Sequence, residues 1–324
     1  MDQWIDSALA IFWESAKLPY WSVFYNAMAR QYWLYCVAAL ALGVLCWRRD
    51  SRKGIVDPGE GYVHYMWSRL YKRHISAAID ICIIIVNGMI LISTGVLQIV
   101  ANSLIVADMT PASAVANVTP YLIVLYTIVY FLVDDFTAFL VHYWFHKNSV
   151  LWAFHKVHHS AETLTPMTAD RFHPVEVILT TIVRLSMGML VTLAFALFAG
   201  SKLDVASVGQ ANLFLFLFNM AGGCLRHSSI RLSYGRFDHW FISPHMHQIH
   251  HSQEERHWNK NMGGTMAIWD RLFGTDYIPA LDEDYRYGIG EENVRYQSLV
   301  YNYCGPFIEV SRMLVANVVR RKTG

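Results

Sequence analysis

The chain has 324 residues, of which 54% are hydrophobic and only 16% charged, with a formal net charge of +1. Soluble domains carry about 25% charged residues, so this deficit and the long apolar runs point to a bilayer as part of the solvent. A near-neutral chain lacks the basic excess of nucleic-acid-binding proteins, and five scattered cysteines without a CxxC pair exclude a disulfide framework or a thiolate zinc site.

In residues 1–31 the aromatic Trp4, Phe12 and Trp13 precede the first basic residue, Lys17. A signal peptide carries its positive charge before its apolar core, so this stretch reads as an interfacial segment. The first apolar run, Tyr32 to Trp47, ends on Arg48, Arg49, Arg52 and Lys53. The positive-inside rule puts that flank in the cytoplasm and the N-terminus outside. Ala77 to Val106, with Asp80 as its one charge, reads as a tilted span, followed by a turn over 107–113. Ala114 to Val133 returns, and Asp134 and Asp135 mark its exit.

Val175 to Gly200 and Val205 to Gly222 then read as a helical hairpin around Ser201, Lys202 and Asp204, with Arg184 costly inside it. Residues 223–324 are polar and expected in the cytoplasm. No linker, repeat or low-complexity tract divides the chain. The fold class expected is all-α, an integral multi-pass membrane bundle of about three spans, a hairpin and a histidine-rich cytoplasmic cap. Its parts are an N-terminal region (1–76), a membrane domain carrying the histidines (77–280) and a C-terminal cytoplasmic tail (281–324).

Thirteen of the 15 histidines lie between His142 and His257. Three clusters stand out: His142-x-x-x-His146, His155-x-x-His158-His159 and His247-x-x-His250-His251. Residues three or four apart share a helix face, with Cβ atoms about 5–6 Å apart, so two such imidazoles can grip one metal ion. Eight imidazoles suffice for two ions with positions left open. Iron, zinc and copper all accept neutral imidazole. No HExxH occurs, so a metalloprotease reading lacks its general base. A bis-histidine haem protein for electron transfer is a different class, and it calls for isolated histidines on facing spans. A metal transporter calls for ionisable residues within the spans, yet the apolar runs carry no histidine.

HxxxH, HxxHH and HxxHH on a membrane helical scaffold resemble the fatty acid hydroxylase/sterol desaturase superfamily over roughly residues 80–280. His158-His159-Ser160, Arg171-Phe172-His173-Pro174-Val175-Glu176, Ser243-Pro244 and Ile268 to Thr275 are similar to its bacterial-type branch. The resemblance implies that 77–280 is the catalytic domain and that the eight motif histidines are catalytic metal ligands. It implies two iron ions (Fe2+, replaceable by zinc on purification) and O2 as co-substrate. The partners implied are a lipid from the bilayer (fatty acyl, sterol or other) and a separate electron donor, a ferredoxin or a cytochrome b5 with its reductase. Hydroxylation is the expected reaction, with desaturation as the alternative.

His227 stands where the family places a further ligand; the customary partner four residues earlier is Gly223, and Asn219 is a substitute at different spacing. His173 reads as a metal ligand, a donor to one, or a helix-start device. Asp135 and Glu176 are candidates to hold ligand rings through their second nitrogen. Trp269, Asp270 and Arg271 are expected to dock the later part of the chain against the site.

Overall fold

Among the described residues, apolar runs set off by Pro, Asn and Gly become helices. The computed structural model describes residues 33–57, 59–70, 75–88, 120–199 and 212–323. Its helices are α1 (Trp33–Arg52), α2 (Tyr62–Leu70), α3 (Ile75–Gly88), α4 (Pro120–Lys147), α5 (Ser149–His159), α6 (Pro174–Ala199), α7 (Asn212–Met220), α8 (Pro244–His250), α9 (Ile268–Phe273), α10 (Asn293–Tyr296) and α11 (Leu299–Thr323). Among the described residues there is no strand, only the bridges Phe241 with Met266 and Ser252 with Tyr287.

Two described helices are long and apolar enough to cross a membrane, over Val124–Lys147 and Pro174–Phe195; Ile75–Gly88 is a shorter apolar helix. The remainder of the expected second span and the hairpin turn at 201–211 lie outside the described residues. Along α6 the side chains of Ile182, Leu190, Leu197 and Phe198 are exposed, an apolar face that suits hydrocarbon rather than water.

α4 runs on as helix past Asp134 and Asp135 to Lys147, so the end of the apolar run is not the end of the helix. Asp134 takes both Arg184 nitrogens, Nε at 2.9 Å and Nη2 at 2.5 Å, which compensates the charge inside α6. The same seam carries Tyr126 Oη to Thr192 Oγ1 at 3.0 Å, and Gly188 leaves room for the Tyr130 hydroxyl.

Above this pair the chain turns sharply. Asn148 separates α4 from α5 and caps α5, its Oδ1 accepting from the N–H groups of Val150 and Leu151. The turn brings the end of α4 against α5, so their histidines face one another. α11 then packs on α5: Lys156 Nζ lies 2.8 Å from Glu292 and 2.6 Å from Glu309, and Phe154 meets Phe307 edge-on. Residues from the 281–324 stretch, expected as a tail, thus pack against the histidine-bearing helix α5.

One buried ion pair ties α3 to the segment that follows α5. The Asp80 carboxylate accepts from Arg171 Nη1 at 2.8 Å, both side chains being almost wholly inaccessible. Arg171 also donates to the Val157 and Ser76 carbonyls and to Ser160 Oγ.

Candidate metal centre

Nine imidazoles meet in two adjoining groups. His142, His146, His155, His159 and His250 form one; His158, His227, His247 and His251 form the other; within each, the ligand atoms lie within 4.8 Å of one another. The ring of His159 stacks on that of His251 at 4.7 Å, so the groups share a wall.

Helix geometry explains the partition. On α5, His155 and His159 are four apart and point into the five-histidine group, while His158 turns to the other. The helix Pro244–His250 does the reverse: His247 and His251 enter the four-histidine group, and His250 crosses over. Each HxxHH motif thus serves both groups. Ser243 caps the second motif's helix and Pro244 occupies its first turn, which fixes where its histidines point.

The second nitrogen of four rings decides the chemistry of the first. His142 Nδ1–H donates to the Met262 carbonyl at 2.7 Å, His250 Nδ1–H to Lys260 at 2.7 Å and His158 Nδ1–H to Arg171 at 3.2 Å. His155 Nδ1–H donates to Glu176 Oε1 at 2.7 Å. A carbonyl oxygen only accepts, so the proton sits on Nδ1 and Nε2 keeps a bare lone pair.

Those lone pairs face each other: His142 Nε2 lies 3.0 Å from His155 Nε2 and 3.1 Å from His250 Nε2. No hydrogen bond joins two acceptors, and such contacts make sense around a cation. In the other group His227 Nε2 is 3.1 Å from His247 and 3.4 Å from His158. Imidazole–metal bonds are about 2.1 Å, which puts neighbouring ligand nitrogens about 3.0 Å apart at right angles. The donor set therefore fits metal.

Burial agrees. Loss of solvent pushes the imidazoles of His158, His159, His247, His250 and His251 well below their ordinary range, and neighbouring imidazoles push them further. They stay neutral, as ligands must.

His227, the ninth histidine, joins as the motif position implies. Asn219 does not, but its Oδ1 lies 2.8 Å from where a Cβ on Gly223 would stand. His173 needs a correction as a metal ligand. Its Nδ1 accepts from Val175 N at 3.1 Å and its Nε2–H donates to the Tyr303 carbonyl at 3.1 Å, so neither nitrogen is free. It starts α6, one of the roles open to it from sequence. His245 is buried outside both groups and His239 is exposed. His257 bonds Ser252 and Glu283.

Of the two carboxylates expected to hold ligand rings, only Glu176 does so. Asp135 accepts from the backbone of Thr265 and Met266 and from Trp269 Nε1 at 2.9 Å. It acts on His142 at one remove, by pinning the loop that carries Met262. Asp270 holds the same loop through the Met262 and Gly263 amides. Asn261, buried at φ 54°, turns the loop so that Lys260 and Met262 reach different rings. These carbonyls carry no side-chain signal, and sequence reasoning misses them.

Glu176→Gln tests the orientation of His155. Outer partners of ligand histidines are worth about 10–100-fold in metal affinity, and a loss of that size is expected. Metal retention in competition with a graded chelator measures it; unchanged retention would remove Glu176 from this role.

Residues 127–275 match the family model described as "Fatty acid hydroxylase". Ornithine lipid hydroxylase OlsE of Rhizobium tropici is 28% identical over 148 residues, 45% of this chain and 40% of that protein. Alkylglycerol monooxygenase of Homo sapiens is 27% identical over 152 residues, 46% of this chain and 30% of that protein. Delta(7)-sterol 5(6)-desaturase of Eremothecium gossypii is 29% identical over 160 residues, 49% of this chain and 40% of that protein. The chain spans less than half the length of each of these relatives. No solved structure matches it.

Proposed function

We propose, from the premise that the histidine-bearing segment 127–275 belongs to the fatty acid hydroxylase/sterol desaturase superfamily, that this protein is a membrane di-iron oxidoreductase that hydroxylates a lipid. The observation that carries the reading is the convergence of ligand nitrogens from nine imidazoles in two adjoining groups. The five-histidine and four-histidine groups would hold one ion each. Five ligands exceed the four of a structural zinc site, which favours iron.

When bound, the iron pair supplies O2 activation against an unactivated C–H bond. One oxygen atom enters that bond, the other leaves as water, and two electrons and two protons come from outside. The chain's own residues do the remainder. Met262, Lys260, Arg171 and Glu176 fix the ring tautomers, burial keeps His158, His159, His247, His250 and His251 neutral, and the apolar helices give a bilayer lipid its approach. The electron donor in this reading is a separate ferredoxin or cytochrome b5 system on the cytoplasmic side.

Hydroxylase and monooxygenase relatives favour hydroxylation; the sterol desaturase relative keeps desaturation as the second reading. Metal analysis of anaerobically purified protein should find two irons per chain. Lipid mass spectrometry of cells with and without it should find a lipid gaining one oxygen atom, whereas desaturation removes two hydrogens. A haem spectrum, or iron-loaded and reduced protein that leaves every lipid unchanged, would overturn the reading.

A further inference from the structure

A cavity of about 1180 Å³ is lined by His146, His159 and His250 of the five-histidine group. The buried Nε2 of His146 has no hydrogen-bond partner among the described residues. Ligand pockets are usually walled by apolar and aromatic side chains around a few polar groups. This one carries six charged side chains: Lys156, Glu162, Glu254, Arg286, Glu291 and Glu292.

Three of the six are spent inside the wall. Lys156 is held by Glu292 and Glu309, and Glu162 accepts from Gln297 Nε2 at 3.2 Å. Glu254, Glu291 and Arg286 make no side-chain ion pair among the described residues. Trp258 stands exposed at the rim, an aromatic face available to a cation.

The wall is fixed to the metal ligands rather than draped over them. Gln253 N–H donates to the Arg286 carbonyl at 2.9 Å and Gly288 N–H to the His251 carbonyl at 3.2 Å. Gly288 sits at φ 110°, where a side chain would strike Asn293. Arg286, Gly288 and Glu291 lie beyond the 127–275 stretch shared with the family, so this chemistry belongs to this chain's own later segment.

We infer that the cavity binds the zwitterionic head group of a lipid, an ammonium with one anionic group. Arg286 takes the carboxylate or phosphate through its fork of donors, and Glu254 and Glu291 take the ammonium. Two unpaired carboxylates repel a purely anionic head group, and a neutral glycerol ether or a sterol hydroxyl leaves all three charges unmet. With the polar end seated above His146, His159 and His250, the C–H bond oxidised lies in or beside the head group. One oxygen atom of O2 enters that bond and the other leaves as water, with two electrons and two protons from an external reductant. The inference rests on the lipid hydroxylase reading.

The test uses full-length, iron-loaded protein in nanodiscs with an external reductant. The substrates are an aminoacyl lipid, a phosphatidylethanolamine and a monoalkylglycerol with matched chains. A zwitterionic lipid should be oxidised with the lowest KM, and fragmentation should place the new oxygen at its polar end; which of the two is preferred identifies the anionic group. Arg286→Ala, a surface change, should raise that KM roughly 10- to 100-fold and leave iron content unchanged. The proposal is overturned by equal use of the monoalkylglycerol, by an unmoved KM in Arg286→Ala, or by the free amino acid competing as well as its lipid. No oxidation of any lipid by the iron-loaded protein sinks the hydroxylase reading along with it. A neutral lipid oxidised in mid-chain sinks this inference alone.

Discussion

His250→Ala and His158→Ala should each abolish lipid oxidation and lower the metal content, although neither histidine lies in the motif that a one-motif, one-ion picture would assign to its group. His250 sits on the α8 motif but serves the five-histidine group; His158 sits on the α5 motif but serves the four-histidine group. Losing a ligand should exceed the roughly 10–100-fold in affinity typical of an outer partner. The two variants should differ in degree. Four imidazoles would remain in one group in His250→Ala and three in the other in His158→Ala, so the second group should give up its metal to the weaker chelator. His239→Ala, on an exposed ring, serves as the control. Full turnover in either ligand variant would refute the assignment.

Asp80→Asn is expected to damage the protein from a site no ligand occupies. Removing one partner of a buried ion pair strands the other charge, at a cost of about 3–5 kcal/mol. Arg171 is then left buried with an unpaired guanidinium. The damage should reach the centre, because the Arg171 carbonyl accepts from His158 Nδ1 and its guanidinium holds Val157 and Ser160 at the end of α5. The apparent Tm should fall sharply, and ions should be lost first from the four-histidine group. Arg171→Met and the double variant complete a cycle, with a coupling of about 2 kcal/mol or more expected between the two positions. A fall in Tm with both ions still held as firmly as in the parent protein would confine the pair to a purely structural role.

The site was far more legible in the sequence than the frame around it. Spacings of three and four along a helix are local, so the eight motif histidines could be picked out before any fold was known. Glu176 was within reach for the same reason, being close in sequence to a His-Pro helix start. His173 shows the limit of local signals: a histidine two residues before a helical amide can cap it instead of binding metal. Asp135 shows the other limit. It shares a helix face with His142, yet its carboxylate bonds Thr265 and Met266 some 130 residues away. Long-range pairings of this kind, with Asp80–Arg171 and Asp134–Arg184 among them, leave no periodic trace. Neither do backbone carbonyls, and three of the four acceptors that fix ring tautomers are carbonyls.

Because each HxxHH helix places histidines in both groups, two ions bound there would act as rivets driven through the same pair of plates. A cell short of iron would make a chain whose bare nitrogens push apart where they should be drawn together. Its cap should breathe open while the apolar helices below stay seated. Iron supply would then set how long the protein survives quality-control proteolysis, as well as how fast it turns over.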